Sequence, residues 1–331
     1  MFCFIIFSVS NAQSGEGDSS QNVPSTCRPE FAELDSHTMC MNDSDRVESF
    51  GVSDADKKVI VDFHNKVRGQ VEPKATNLAA VIYDENLAEV AQKLAMQCRL
   101  FHDKNRKLPS YGVSIGQNLA AGDGSWAKAV DGWFKESLLF KYGQIPKDYL
   151  PGPNAWGKIG HYTMMVSDRV HRVGCGYSYC RQPEGKKGHV RYYVCNYAKG
   201  QHGAVRPYIN GTERCSDCPD SCKDGLCDCK GKLCLHAGSL DLNTCTCTCK
   251  RIYSGEDCSV LSCKPDKWWC KNKDPARCKM YSNYPYDCPV LCGKCNATTT
   301  TPPPTTTTTS APATQDDTRS ANDDSSSKLV S

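Results

Sequence analysis

Sixteen of the chain's 23 cysteines fall between Cys215 and Cys295, and only seven lie in the first 200 residues. A segment that short and that rich in sulfur cannot bury enough apolar surface to hold itself together, so it must be cross-linked. The chain therefore divides into an earlier part able to build an ordinary core and a later part held by covalent bonds. Structural zinc is the rival reading of Cys215-x-x-Cys218. The start of the chain argues against it. Its first residues, MFCFIIFSVSNAQS, form a short apolar run ending in Ser10-Asn11-Ala12. That pattern reads as a signal peptide over 1–12, cleaved after Ala12, although no basic residue precedes the run. The run is too short to span a bilayer, and no transmembrane segment is expected. Removing Cys3 leaves an even set of 22 cysteines, which suits eleven disulfides and no free thiol. Sequons at Asn42, Asn210 and Asn296 agree with export and N-glycosylation. The expected location is secreted and extracellular.

The 40 basic and 37 acidic residues leave a formal net charge of +3, which gives no reason to expect nucleic acid or an anionic membrane as partner. Residues 13–52 form a polar leader with Cys27 and Cys40. Residues 53–205 read as the globular domain. Ser53-Asp54-Ala55-Asp56 opens a helix carrying Ile60, Phe63 and Val67 at helical spacing, with Gly69 at its end. Asp84 opens a second helix, with Leu87, Val90, Ala91, Leu94, Ala95 and Cys98 in phase. Ser125 can cap a third, burying Trp126, Ala129, Val130, Trp133 and Phe134. The stretches 160–166, 172–178 and 189–197 are rich in Val and Tyr and read as strands. Helices first and strands later predict an α+β fold. After Cys295 the chain becomes TTTTPPPTTTTTSAPAT, the composition of an O-glycosylated, extended stalk, and 296–331 reads as a mucin-like disordered tail. No apolar run closes the chain, so no lipid-anchor signal is expected.

Five blocks now carry a resemblance: AMQCRLFHD (95–103), GQNLA (116–120), GHYTMMV (160–166), RVGCGYSYC (172–180) and YYVCNYAKGQHG (192–203). Together, and in this order, they resemble the signature blocks of the CAP superfamily, which includes cysteine-rich secretory proteins and venom allergens. The leader SHTMC (36–40) is similar to that of the venom-allergen branch. The resemblance implies an α-β-α sandwich. CSDCPDSCKDGLC (215–227) is similar to the hinge that follows the CAP domain in cysteine-rich secretory proteins, here 206–228, and implies Cys215–Cys222 and Cys218–Cys227. Residues 229–258 end like an EGF-like module, with Cys247-x-Cys249-x8-Cys258 and Leu240 where a third cysteine is usual. Residues 263–295 resemble a ShK-type toxin module, implying Cys263–Cys295, Cys270–Cys288 and Cys278–Cys292. The Lys-Tyr pair by which some such modules block potassium channels falls on Asn283-Tyr284, so its lysine is missing, with Lys279 and Tyr281 nearby but out of place. In the globular domain, Cys175–Cys195 is the expected pair.

The family's central cleft carries two histidines and two acidic residues. Carried over, these are His102 and His161, with Gln117 and Glu136 at the acidic positions. Two imidazoles and one carboxylate make a plausible zinc set of His102, Glu136 and His161. With Gln117 neutral, a charge and a base are lost and affinity falls. The simpler reading is a hydrogen-bonded polar core joining helices to sheet. No His-Glu-x-x-His is present. Gly112-Val113-Ser114-Ile115-Gly116 matches Gly-x-Ser-x-Gly, but that motif needs a strand-to-helix turn, and no strand signal precedes it. His64, His171, His189, His202 and His236 show no ligand spacing. Trp268 and Trp269 sit in a module with little core, so they, with Tyr284, form the candidate binding surface.

These observations point to a secreted glycoprotein that works by extracellular recognition and not by catalysis. No cofactor is required, and zinc in the cleft is the metal the residues allow. The partner is an extracellular protein or a small apolar ligand. Two alternatives are a venom-type modulator of an ion channel and a metal-dependent peptidase.

Overall fold

In the computed structural model, residues 27–122, 124–145, 158–183, 187–200 and 205–296 are described. The expected signal peptide, His202 and the tail beyond Asn296 lie outside them. The first elements are helix α1 (Pro29–Ala32), strand β1 (Val47–Phe50), helix α2 (Asp54–Gly69), strand β2 (Ile82–Tyr83) and helix α3 (Glu85–Ala95). Strand β3 (Ile115–Ala121), helix α4 (Trp126–Lys135), helix α5 (Gly160–Met165), and strands β4 (Arg172–Arg181) and β5 (His189–Ala198) follow. The main sheet has the order β1-β4-β5-β3, with β2 pairing in parallel beside β4 and the other pairs antiparallel.

The three long helices start where local chemistry places them. Ser53, Asp84 and Ser125 each accept a hydrogen bond from the backbone amide three residues on, satisfying one of the free donors of a helix start. Their apolar stripes then choose a face of the sheet. Ile60 and Val67 of α2, Trp126, Val130 and Trp133 of α4, and Met164 and Met165 of α5 share one core with Val173, Cys175, Tyr193, Cys195 and Tyr197. Ala91, Leu94 and Ala95 of α3 pack with Val194, whose side chain faces the other way. Gly174 and Gly176 let α3 come close: a Cβ on either would stand 2.2 Å from α3 backbone or cap atoms.

Two departures from expectation concern local propensity. The stretch 160–166, expected as a strand, is the short helix α5 with one residue beyond it. The carboxylate of Glu136 accepts from the amides of His161 and Tyr162 at its start. At its other end the guanidinium of Arg68 donates to the carbonyls of Met165 and Ser167. A negative group at the N-terminus and a positive one at the C-terminus both favour the helix. These tertiary contacts override the strand preference of Tyr, Thr and Val. Strand β3 is the reverse case. Its residues, IGQNLAA, are poor strand formers, yet a seven-residue ladder with β5 holds them.

The leader also joins the fold. Strand β1 pairs with β4, and Phe31 packs in a core with Leu87, Val90, Leu108 and Tyr111. Cys27–Cys40, Cys98–Cys180 and Cys175–Cys195 cross-link this part of the chain.

The cysteine-rich region is docked against it. Leu226 sits in the main core, and Cys227 exchanges backbone hydrogen bonds with Leu78 and Ala80. Leu233 is buried with Leu87 and Tyr111, and Arg172 and His171 donate to the carbonyls of Gly231 and Lys232. Farther on, Arg251 donates to Pro265 O, and the Tyr253 ring meets the edge of Tyr286. Cys215 pairs with Cys222 and Cys218 with Cys227, so neither sulfur of Cys215-x-x-Cys218 is available to zinc. The remaining pairs are Cys229–Cys245, Cys234–Cys247, Cys249–Cys258, Cys263–Cys295, Cys270–Cys288 and Cys278–Cys292.

Candidate functional site

His102, Gln117, Glu136 and His161 come from four different places: the loop after α3, strand β3, the turn ending α4, and the first turn of α5. They form two histidine-centred pairs. His161 Nδ1 donates to Glu136 Oε1 at 2.7 Å. The other oxygen of Glu136 accepts from the amides of His161 and Tyr162, at 2.8 and 3.0 Å. His161 O accepts from Asn118 Nδ2, and its ring stacks near the Trp133 indole, centroids 6.1 Å apart. Ring and backbone of His161 are thus both fixed. His102 Nδ1 donates to Gln117 Oε1 at 2.8 Å. Gln117 Nε2 in turn donates to Asp103 Oδ1 and Asn196 Oδ1. Asp103 is buried and accepts from Thr38 and Arg106 as well. Burial lowers the pKa of His102, with the charges of Arg106 and His161 adding to the fall against the Gln117 hydrogen bond and Asp103. His102 is therefore neutral at pH 7.

The carboxylate that position 117 lacks is supplied one step away by Asp103, with Gln117 as the relay. The sequence reading missed Asp103, Asn118 and Asn196. The signal for the first was present, since Asp103 directly follows His102. The other two reveal themselves only once β3 and β5 pair.

As a zinc set, His102, Glu136 and His161 do not fit. Glu136 spends both oxygens on a helix start and an imidazole, which makes it the partner that orients His161 and not a third ligand. Among the described residues no three His, Cys, Asp or Glu are placed to hold a metal ion. What remains is two imidazoles whose Nδ1 atoms are engaged, leaving both Nε2 lone pairs unused by the described residues. Glu136→Gln turns an NH2 group toward donors of α5 or of His161. A loss of about 1–3 kcal/mol in stability is expected, read by thermal denaturation.

Ser114 is no nucleophile elbow. Its Oγ accepts from Gly200 N, and β3 begins at the next residue, so the strand follows the motif instead of preceding it. His64, His171 and His236 lie apart from the cleft pairs: His64 bonds Ile60 O and Tyr197, His171 bonds Lys232 O, and His236 stacks on Tyr253. His189 pairs with Glu48. Asn42, Asn210 and Asn296 all occupy exposed positions.

The three aromatics of the expected binding surface separate. Trp268 is 89% exposed, but Tyr284 is 7% exposed and does not belong to the surface. Trp269 packs edge-on against Tyr284, centroids 5.2 Å apart, within a small core around Cys270 and Cys288. A module with little room for a core uses two of its rings to make one. Asn283-Tyr284, the expected channel-blocking position, therefore presents no exposed tyrosine. The chain has no helix long and apolar enough to cross a membrane among the described residues.

Residues 61–197 match the family model described as the cysteine-rich secretory protein family, CAP. A cysteine-rich venom protein of Conus textile is 35% identical over 291 residues, covering 81% of this chain and 90% of its own. The human cysteine-rich secretory protein 3 is 37% identical over 212 residues, covering 62% of this chain and 81% of its own. Among solved structures, venom allergen-like protein 4 of Schistosoma mansoni is 26% identical, with a TM-score of 0.37, covering 49% of this chain and 97% of its own. The cone-snail likeness runs well beyond residues 61–197 and takes in much of the cysteine-rich region. The chain belongs to the cysteine-rich secretory protein (CAP) family.

Proposed function

We propose that this protein is a secreted glycoprotein that acts by recognising an extracellular protein or a small apolar ligand, without catalysis. The observation that carries the reading is how the cleft spends its polar groups. Glu136 caps α5 and orients His161, and Gln117 is tied to His102, Asp103 and Asn196. Neither position therefore offers a free base to activate a side-chain nucleophile or a water. Leu100 and Phe101 precede His102, and Leu138 and Leu139 follow Glu136; all four side chains are exposed. A polar pair with apolar neighbours suits a partner with an apolar portion. On this reading 206–228 is a hinge, 229–258 an EGF-like module and 263–295 a ShK-type module, with the tail as a stalk. The test is peptide cleavage by the wild type and by His161→Ala. No difference between them is expected. Cleavage that disappears in a folded His161→Ala variant would overturn the reading in favour of a peptidase.

The two unused Nε2 atoms support weak zinc binding, with water completing the shell. Zinc bound there would act as a Lewis acid, while the chain's part is to orient both imidazoles, His161 through Glu136 and His102 through Gln117. Calorimetry is expected to show a weak isotherm that vanishes in the His102→Ala/His161→Ala double variant. Binding that survives the double change would place the metal elsewhere.

A second reading, modulation of an ion channel, is favoured by the venom proteins among the relatives. Electrophysiology on the whole protein decides it, and no current change at micromolar concentration removes it.

A further inference from the structure

The near-neutral charge of the whole chain conceals a segregated one. Between Cys263 and Asn296 there are seven lysines and arginines against three aspartates, an excess of four, whereas the entire chain has +3. The three acids are also turned to internal use. Asp266 accepts from the amides of Val290 and Leu291, Asp274 from that of Ala276, and Asp287 from Lys267 and Asn283. Lys264, Lys271, Lys273, Lys279 and Lys294 are exposed and form no ion pair among the described residues. The field of this segment is therefore positive.

At its surface stands Trp268, the most exposed large hydrophobic side chain described. It occupies a single 3-10 turn, Trp268–Cys270, between Lys267 and Lys271. The turn is pinned by Cys270–Cys288, and the neighbouring Trp269 fills the interior place against Tyr284. Trp268 therefore cannot fold inward without displacing Trp269. A fixed indole with lysines at both ends of its turn combines an amphipathic ring with diffuse positive charge.

The geometry points to a docking surface for an anionic lipid bilayer, formed by Trp268 and the lysines around it. Indole rings settle at the level of lipid headgroups, and unpaired lysines are drawn to anionic ones. One insertion group plus a basic patch is the two-signal arrangement that peripheral attachment needs. A protein partner is less well matched. The segment has a single arginine, Arg277, which lies against the Tyr281 ring and Tyr284 hydroxyl, so the forked donors that read carboxylates or sulfates are not on offer.

The test is co-sedimentation of the whole protein with vesicles of phosphatidylcholine alone or with added phosphatidylserine. Binding is expected only with phosphatidylserine. Trp268→Ala should weaken it about tenfold, the loss of one buried aromatic side chain. Lys271→Glu/Lys273→Glu should weaken it at least about tenfold, and so should raising salt from about 0.1 M to about 1 M. All these positions are exposed, so melting should not change. No binding to the anionic vesicles would overturn the proposal, as would Trp268→Ala binding like wild type. Binding to heparin through the lysines, with no vesicle binding, would assign the surface to a sulfated polymer instead.

Discussion

Arg68→Met is expected to be the most damaging single change in the globular part, costing about 4 kcal/mol and lowering the melting temperature by about 10 °C. Arg68 is fully buried at the end of α2. Its guanidinium donates to four carbonyls, those of Ala79, Met165, Ser167 and Val170, at 2.8–3.0 Å. Burial pulls its pKa down to about 10, still well above neutrality, so the charge persists at pH 7. Methionine fills similar volume but takes from the carbonyls of Ala79, Met165 and Val170 their only donor among the described residues, while Ser167 O keeps just the Val170 amide. Arg68→Lys keeps the charge but has three donors on one nitrogen, which cannot span carbonyls spread over this arc. It should recover less than half of the loss. Because Met165 and Ser167 flank the end of α5, freeing them also loosens His161 at its start. Thermal denaturation checks the first effect. A Met variant melting within a degree or two of wild type would show that the four carbonyls find other partners.

Arg68 also shows where the sequence could be read and where it could not. The starts of α2, α3 and α4 were legible because a capping side chain and the amide it satisfies are three residues apart. The same locality makes the apolar stripes of those helices readable. Helix α5 was not legible, since the groups that cap it, Glu136 and Arg68, lie 25 and about 95 residues away in the chain. Strand β3 was hidden for the same reason, as its ladder with β5 and not its residues makes it a strand. In the cleft, His102, Gln117, Glu136 and His161 were identified through the family resemblance. Their roles needed geometry, which turned a three-ligand metal set into two oriented imidazoles and brought Asp103 in behind Gln117. In the last module, spacing alone said nothing of which aromatic ring becomes core.

Acid should weaken the fold steeply between about pH 6.5 and pH 4, and two histidines outside the cleft supply most of the effect. His64 is fully buried, with Nδ1 donating to Ile60 O and Nε2 accepting from the Tyr197 hydroxyl. Tyr197 accepts in turn from Asn118, so a second proton on His64 would face a donor. His171 is buried beneath the cysteine-rich region, donating to Lys232 O. Burial lowers both to about 4, with Arg68 acting in the same direction on each and Lys199 also on His171. An unfolded chain takes up these protons near pH 6.5, whereas the folded one resists until about pH 4. Within that window the unfolded state binds more protons, so stability rises with pH and is lost on acidification. Each histidine contributes up to about 2.5 kcal/mol between pH 7 and pH 4.5, about 5 kcal/mol together. Burial raises the pKa of Asp168, which works in the opposite sense and trims the total. Denaturant titration at the two pH values, with the disulfides intact, measures the difference. His64→Gln should reduce that difference by about half while also lowering stability at pH 7. Stability that holds level or rises from pH 6.5 to 4.5 would mean that both rings are protonated in the folded protein, and that the bonds from His64 to Tyr197 and from His171 to Lys232 are not made by neutral imidazoles.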